Sequence, residues 1–126
     1  PYYDLFPLVL PIQKYSDGFL GINFHYLYPK DRAILLDELK VFVNDRTLSE
    51  AARIRVSYNM LRGFTRFKRA KPCIKRYLTT YMKSQFIPVT PDEWGPALFL
   101  PVEQFRKMNK QVVWQESKQI YSAIRQ

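Results

Sequence analysis

The stretch FPLVLPIQKYSDGFLGINFHYLY, residues 6–28, decides how this chain is read. Phe6–Gln13 and Phe19–Tyr28 are rich in β-branched and aromatic residues, which fit a pleated, half-buried backbone. Between them, Tyr15-Ser16-Asp17-Gly18 carries an Asp-Gly turn signal, so the pattern predicts a β-hairpin. Pro7 and Pro11 each remove a ladder donor, which assigns the first strand to a sheet edge or a bulge. A lone hairpin is marginal in water and must add a strand or pack on helices.

Downstream, the apolar period changes from two to 3.6. Pro29 suits the first position of a helix, whose buried stripe is Ile34, Leu35, Leu36, Leu39, Phe42 and Val43 and which ends at Asn44-Asp45. A second helix is expected from a Ser49 cap to about Phe67, turning Ile54, Tyr58, Leu61 and Phe64 or Thr65 inward. Gly63 weakens it by roughly 1 kcal/mol relative to Ala. A third helix is expected from Pro72 to about Phe86, with Ile74, Tyr77, Leu78, Tyr81 and Met82 inward and Lys75, Arg76, Thr79, Thr80 and Lys83 outward. Ile87-Pro88-Val89 reads as extended. Thr90-Pro91-Asp92-Glu93 has the capping-box pattern, and Gly95-Pro96 is expected to cut that helix short. Ala97–Val102 reads as a strand that joins the hairpin, and a last helix covers about Val112–Ile124, with Val113, Ser117, Ile120 and Ile124 inward.

The expected fold class is therefore α+β: a small antiparallel sheet, made of the N-terminal hairpin plus a later strand, packed against three or four helices. With 126 residues the chain is expected to form one domain, 1–126. It opens at Pro1-Tyr2-Tyr3 without a methionine, so an N-terminal leader is expected to be missing. Hydrophobic content of 47% excludes a disordered basic tail, because such tails lack the apolar residues to build a core. Apolar runs span only a few residues, too short for a transmembrane helix, and no membrane partner is expected. The single cysteine, Cys73, forms no internal disulfide, so the fold needs no oxidising compartment.

Charge carries the functional signal. Between Ala51 and Pro91 lie ten of the 20 lysines and arginines and none of the 11 acids, so the formal +9 sits in that one segment. Like charges so concentrated disfavour compaction unless a polyanion relieves them. On the second helix Arg55, Asn59, Arg62, Arg66 and Arg69 recur at helical spacing. Lys68-Arg69-Ala70-Lys71 links them to Lys75, Arg76, Thr79 and Lys83 on the third. An antiparallel packing of the two helices would merge these faces into one strip able to meet successive phosphates. A charged face is most often simply solvated, its long stems covering apolar surface, but a segment of 41 residues without one acid argues for a ligand. Zinc-ligand patterns, ribonucleoprotein aromatics and a helix-turn-helix are all missing from the sequence. The expected partner is double-stranded DNA, bound through its backbone without regard to base sequence.

Catalysis is not expected, and neither are a metal or another cofactor. His25 lies alone between Phe24 and Tyr26, and Cys73 has a cationic setting beside Lys71 and Lys75 but no histidine nearby to act as base. Asp37, Glu38 and Lys40 resemble part of a nuclease set, yet Asp17 sits in a turn rather than on the preceding strand where a magnesium site would need it.

Five runs carry a family resemblance: Pro1-Tyr2-Tyr3-Asp4-Leu5-Phe6-Pro7-Leu8-Val9-Leu10-Pro11, Asp17-Gly18-Phe19-Leu20-Gly21-Ile22-Asn23-Phe24-His25-Tyr26-Leu27, Lys71-Pro72-Cys73-Ile74-Lys75-Arg76-Tyr77-Leu78, Pro91-Asp92-Glu93-Trp94 and Phe99-Leu100-Pro101-Val102-Glu103. Together they resemble the DNA end protector proteins of T-even-type tailed phages and their marine relatives. The resemblance implies a non-enzymatic virion protein, found in the virion or the host cytoplasm, that shields the ends of packaged DNA. Of the family's binding residues it supports only the Lys75-Arg76 pair. The rival reading is a structural head, neck or tail component that docks an acidic partner, such as a portal protein, through the basic patch.

Overall fold

The hairpin that the sequence announces is the centre of the structure, a computed structural model that describes residues 2–82 and 86–124. A short first strand, β1 (Tyr3–Asp4), precedes it. Strands β2 (Val9–Tyr15) and β3 (Gly18–Asn23) pair antiparallel from Val9 opposite Asn23 to Tyr15 opposite Gly18, with Ser16 and Asp17 at the tip. The register shifts between Pro11 and Gln13, and β2 is an edge strand, so both devices that proline demands are present. The second strand is shorter than expected. Phe24–Tyr26 is a 3₁₀ turn, because the Asn23 side chain accepts from the His25 N–H (3.0 Å) and starts the turn there.

The third strand comes from a different place than expected. The helix expected over residues 72–86 is not formed by residues 72–82: Lys68–Cys73 is a 3₁₀ segment that contains Pro72, and β4 (Ile74–Leu78) pairs antiparallel with β3 to give the order β2-β3-β4. Ile74, Tyr77 and Leu78 satisfy a helical stripe and a strand equally well. Glycine in β3 decides between them. A Cβ at Gly18 would lie 1.9 Å from the Tyr77 carbonyl oxygen, so a residue with no side chain is what lets β4 approach. Tyr81, expected inside, is 76% exposed.

Ala97–Val102 is likewise not a strand. After the Pro91–Glu93 turn, where the Thr90 Oγ1 hydroxyl donates to Glu93 (2.9 Å), α3 runs from Trp94 to Phe99. Gly95-Pro96 lies within that helix rather than ending it, since proline in a first turn sacrifices no intrahelical bond. A further pairing joins β1 to β5 (Phe105–Arg106).

The long helices match their signals more closely. Helix α1 spans Pro29–Val43, and α2 spans Glu50–Gly63, with the Ser49 hydroxyl accepting from the Ala52 N–H (3.1 Å). A 3₁₀ turn, Phe64–Arg66, follows α2. Helix α4 spans Lys110–Ala123, with Asn109 accepting from the Gln111 N–H (2.7 Å). Three expected core residues, Ile34, Ile54 and Ile120, are exposed, while Arg32, Ser57, Trp114 and Tyr121 take inward positions. The side chains of Phe42 and Val43 lie outside the described residues, as does Lys83.

Ile22, Leu27, Leu39, Cys73 and Val113 form the driest part of the core, where sheet, helices and the 3₁₀ segment meet. Arg32 is buried beside them at 1% exposure. Its guanidinium donates to the carbonyls of Leu27 (2.9 Å), Leu98 (3.0 Å) and His25 (3.2 Å), lies 3.6 Å from Glu103, and faces the Trp114 ring at 5.5 Å. A charge this deep is tolerable only with such complete pairing.

Candidate nucleic-acid interface

Arg55, Asn59 and Arg62 are exposed on α2, and Arg66 is exposed in the turn that follows. Seven residues of helix separate Arg55 from Arg62, an axial rise of about 10 Å. That matches about three phosphates along one DNA strand. Within the 3₁₀ segment, Lys71 is exposed and donates from Nζ to the Thr65 carbonyl (3.1 Å), while Lys68 is half-buried. Arg69 departs from the series: its guanidinium sits 3.5 Å from Asp31 and over the Tyr121 ring at 5.9 Å.

The expected merger of two helical faces does not form, because Lys75 and Arg76 lie on β4. Adjacent residues of a strand point to opposite faces of its sheet. Lys75 is half-buried with its ammonium 4.1 Å from the centre of the Tyr26 ring, and burial lowers its pKa below the ordinary lysine value. Arg76 folds over the hairpin tip. It pairs with Asp17, donates to the Tyr77 carbonyl (3.0 Å) and lies 4.2 Å over the Tyr15 ring. Its hydrogen bond to Asp17 holds that carboxyl below its ordinary pKa. Thr79 is exposed just beyond β4, its N–H bonded to the Asp17 carbonyl (2.9 Å).

Beside α2 the structure has an open groove of about 540 Å³. Lys14, Tyr15 and Phe19 enter it from the hairpin, Arg62 from α2, and Thr79 and Phe86 from the segment after β4. The sequence reading treated the hairpin as scaffold and missed this wall. Its available signal was Lys14-Tyr15, a cation and an aromatic at the tip of a strand whose partner was already assigned.

Around His25 the buried polar groups form a structural network, although His25 Nε2, Arg53 Nε, Ser57 Oγ and Glu103 Oε2 are buried without a hydrogen-bond partner. His25 Nδ1–H donates to Asp4 (2.7 Å), and the same carboxylate accepts from the Asn23 amide (3.0 Å), which also donates to the Tyr77 hydroxyl (3.0 Å). Trp114 Nε1–H caps the His25 carbonyl at 2.9 Å. This network ties β1 to β3, β4 and α4. Burial pushes the Cys73 thiol up to about 12, which leaves it a neutral core group. Asp37, Glu38 and Lys40 are exposed on α1. Among the described residues no cluster of three or more acids, histidines or cysteines is arranged to hold a metal ion.

Over residues 1–123 the sequence matches the family described as Phage T4 terminal DNA protecting protein. The chain belongs to that family. No curated protein and no solved structure is significantly similar to it. Among the described residues of this terminal DNA protecting family member, no helix is long and apolar enough to cross a membrane. The family name and the α+β fold agree with the expectations from sequence, while the expected pair of basic helices is replaced by one helix and a strand.

Proposed function

We propose that this chain is a non-enzymatic virion protein that binds double-stranded DNA through its backbone and shields DNA ends. One observation carries the reading: Arg55, Asn59, Arg62 and Arg66 share exposure in and just after α2, within a segment that contains no acid. Membership of a terminal DNA protecting family supports the ligand class. Lys68 and Lys71 extend the contact, with Thr79 supplying a hydroxyl at its edge. Arg69, Lys75 and Arg76 take a smaller part, because each already has a carboxylate or an aromatic ring as partner. Lys83 belongs to the same basic set by charge.

Phosphate neutralisation by Arg55, Arg62, Arg66, Lys68 and Lys71 makes about five contacts. Each releases roughly 0.9 of a counterion, so log affinity falls with log salt at a slope near −4.5. Titration of unrelated duplex sequences at several salt concentrations tests this, with equal affinity expected for every sequence. A slope near zero, or binding confined to one sequence, refutes the proposal. A complex with portal or other virion proteins that survives nuclease treatment, with no DNA binding by the purified chain, supports acidic-protein docking instead.

A further inference from the structure

Backbone contacts alone do not distinguish the end of a duplex from its middle, since every phosphate offers the same charge. The difference lies in the bases. An internal base pair is stacked on both faces, whereas a terminal pair has one face open to water. The groove beside α2 offers what such a face lacks.

Phe86 is 70% exposed and Tyr15 36%, so both rings present apolar surface to the groove. Phe86 meets Phe19 edge to face at 6.0 Å, and Phe19 is itself stacked on Tyr77 at 5.2 Å, so the platform is braced from behind. Arg76 holds the Tyr15 ring from the other side and neutralises Asp17, the acid at the hairpin tip. Lys14 and Arg62 leave the groove electropositive, and Thr79 adds a donor for a phosphate or sugar oxygen. Arg62 belongs to both surfaces, so DNA held along α2 passes directly to the groove wall.

We infer that this groove receives the terminal base pair, or a terminal unpaired nucleotide, of linear duplex DNA by stacking it on the exposed Phe86 ring, which Phe19 supports edge to face. The inference rests on the proposed binding of the DNA backbone along α2. Stacking on aromatic side chains accepts any base, because every base has a π-face, so end recognition of this kind remains indifferent to sequence.

The test compares one short duplex with free ends against the same duplex closed at both ends by stable tetraloops. With wild-type protein the open duplex binds roughly tenfold tighter, and 2-aminopurine is quenched at a terminal position but not at an internal one. Phe86→Ala abolishes the preference and the quenching, leaving affinity for the closed duplex and its salt slope unchanged. Phe86→Trp retains both. Equal wild-type affinity for open and closed duplexes, or a Phe86→Ala variant that keeps the preference, overturns the groove inference and leaves backbone binding standing. Failure to bind either duplex removes the underlying reading as well.

Discussion

Helix α2 has three arginines in 14 residues and strand β4 a lysine and an arginine in five, and the fold treats the two elements in opposite ways. On α2 a spacing of three and four collects Arg55 and Arg62 on one exposed face. On β4 the adjacent Lys75 and Arg76 diverge to opposite faces, and each finds a partner within the chain, the Tyr26 ring for one and Asp17 with the Tyr15 ring for the other. A basic run is therefore not a surface until the backbone period beneath it is known. The helix offers its charge outward, whereas the strand spends most of it on internal contacts.

The sharpest way to break that contrast is charge reversal on each element. Arg62→Glu with Arg66→Glu is expected to weaken DNA binding by roughly two orders of magnitude and to flatten the salt slope by about 2, read by anisotropy titration. Equal losses from reversals on β4 would erase the distinction. Gly18→Ala tests the strand itself: a methyl there meets the Tyr77 carbonyl, and destabilisation of roughly 1–3 kcal/mol or more is expected in urea melts. A helical 72–86 would leave this substitution nearly silent. Lys75→Met is expected to alter stability by less than about 1.5 kcal/mol, because the side chain is already half-buried against an aromatic ring and the swap keeps its volume. DNA affinity should change by less than about threefold.

The smallest effect is in pH. Asp17 titrates below its ordinary value of 3.8 because of its hydrogen bond to Arg76. A depressed carboxyl contributes stability that is present above that ordinary value and is lost as pH falls through the folded pKa. Acid unfolding of wild type against Arg76→Ala, followed by circular dichroism between pH 5 and 2, should show this increment only in wild type.

Much of the fold was legible from local chemistry. The Asp-Gly turn, the two prolines of β2, the Ser49 cap and the start of α1 at Pro29 all act through neighbouring residues, and all took effect. Where the reading failed, a distant partner decided. Ile74, Tyr77 and Leu78 fit either period until Gly18 admits them as a strand, and Ala97–Phe99 coils into α3 although its composition suits a sheet. The basic face of α2 was visible because helical spacing is local. The groove was not, since it forms only when hairpin, α2 and the segment after β4 come together.

Arg32 joins the two ends of the chain at one buried point. Its guanidinium is anchored by carbonyls near it in sequence, His25 and Leu27, but also by Leu98 and Glu103, with Trp114 covering it. While the chain is still emerging from a ribosome, those later groups do not yet exist, and the cation has no dry place to go. The dry site for Arg32 is complete only once the last helix is present. Lysine, with no planar fork to span three carbonyls, would make a poor keystone there.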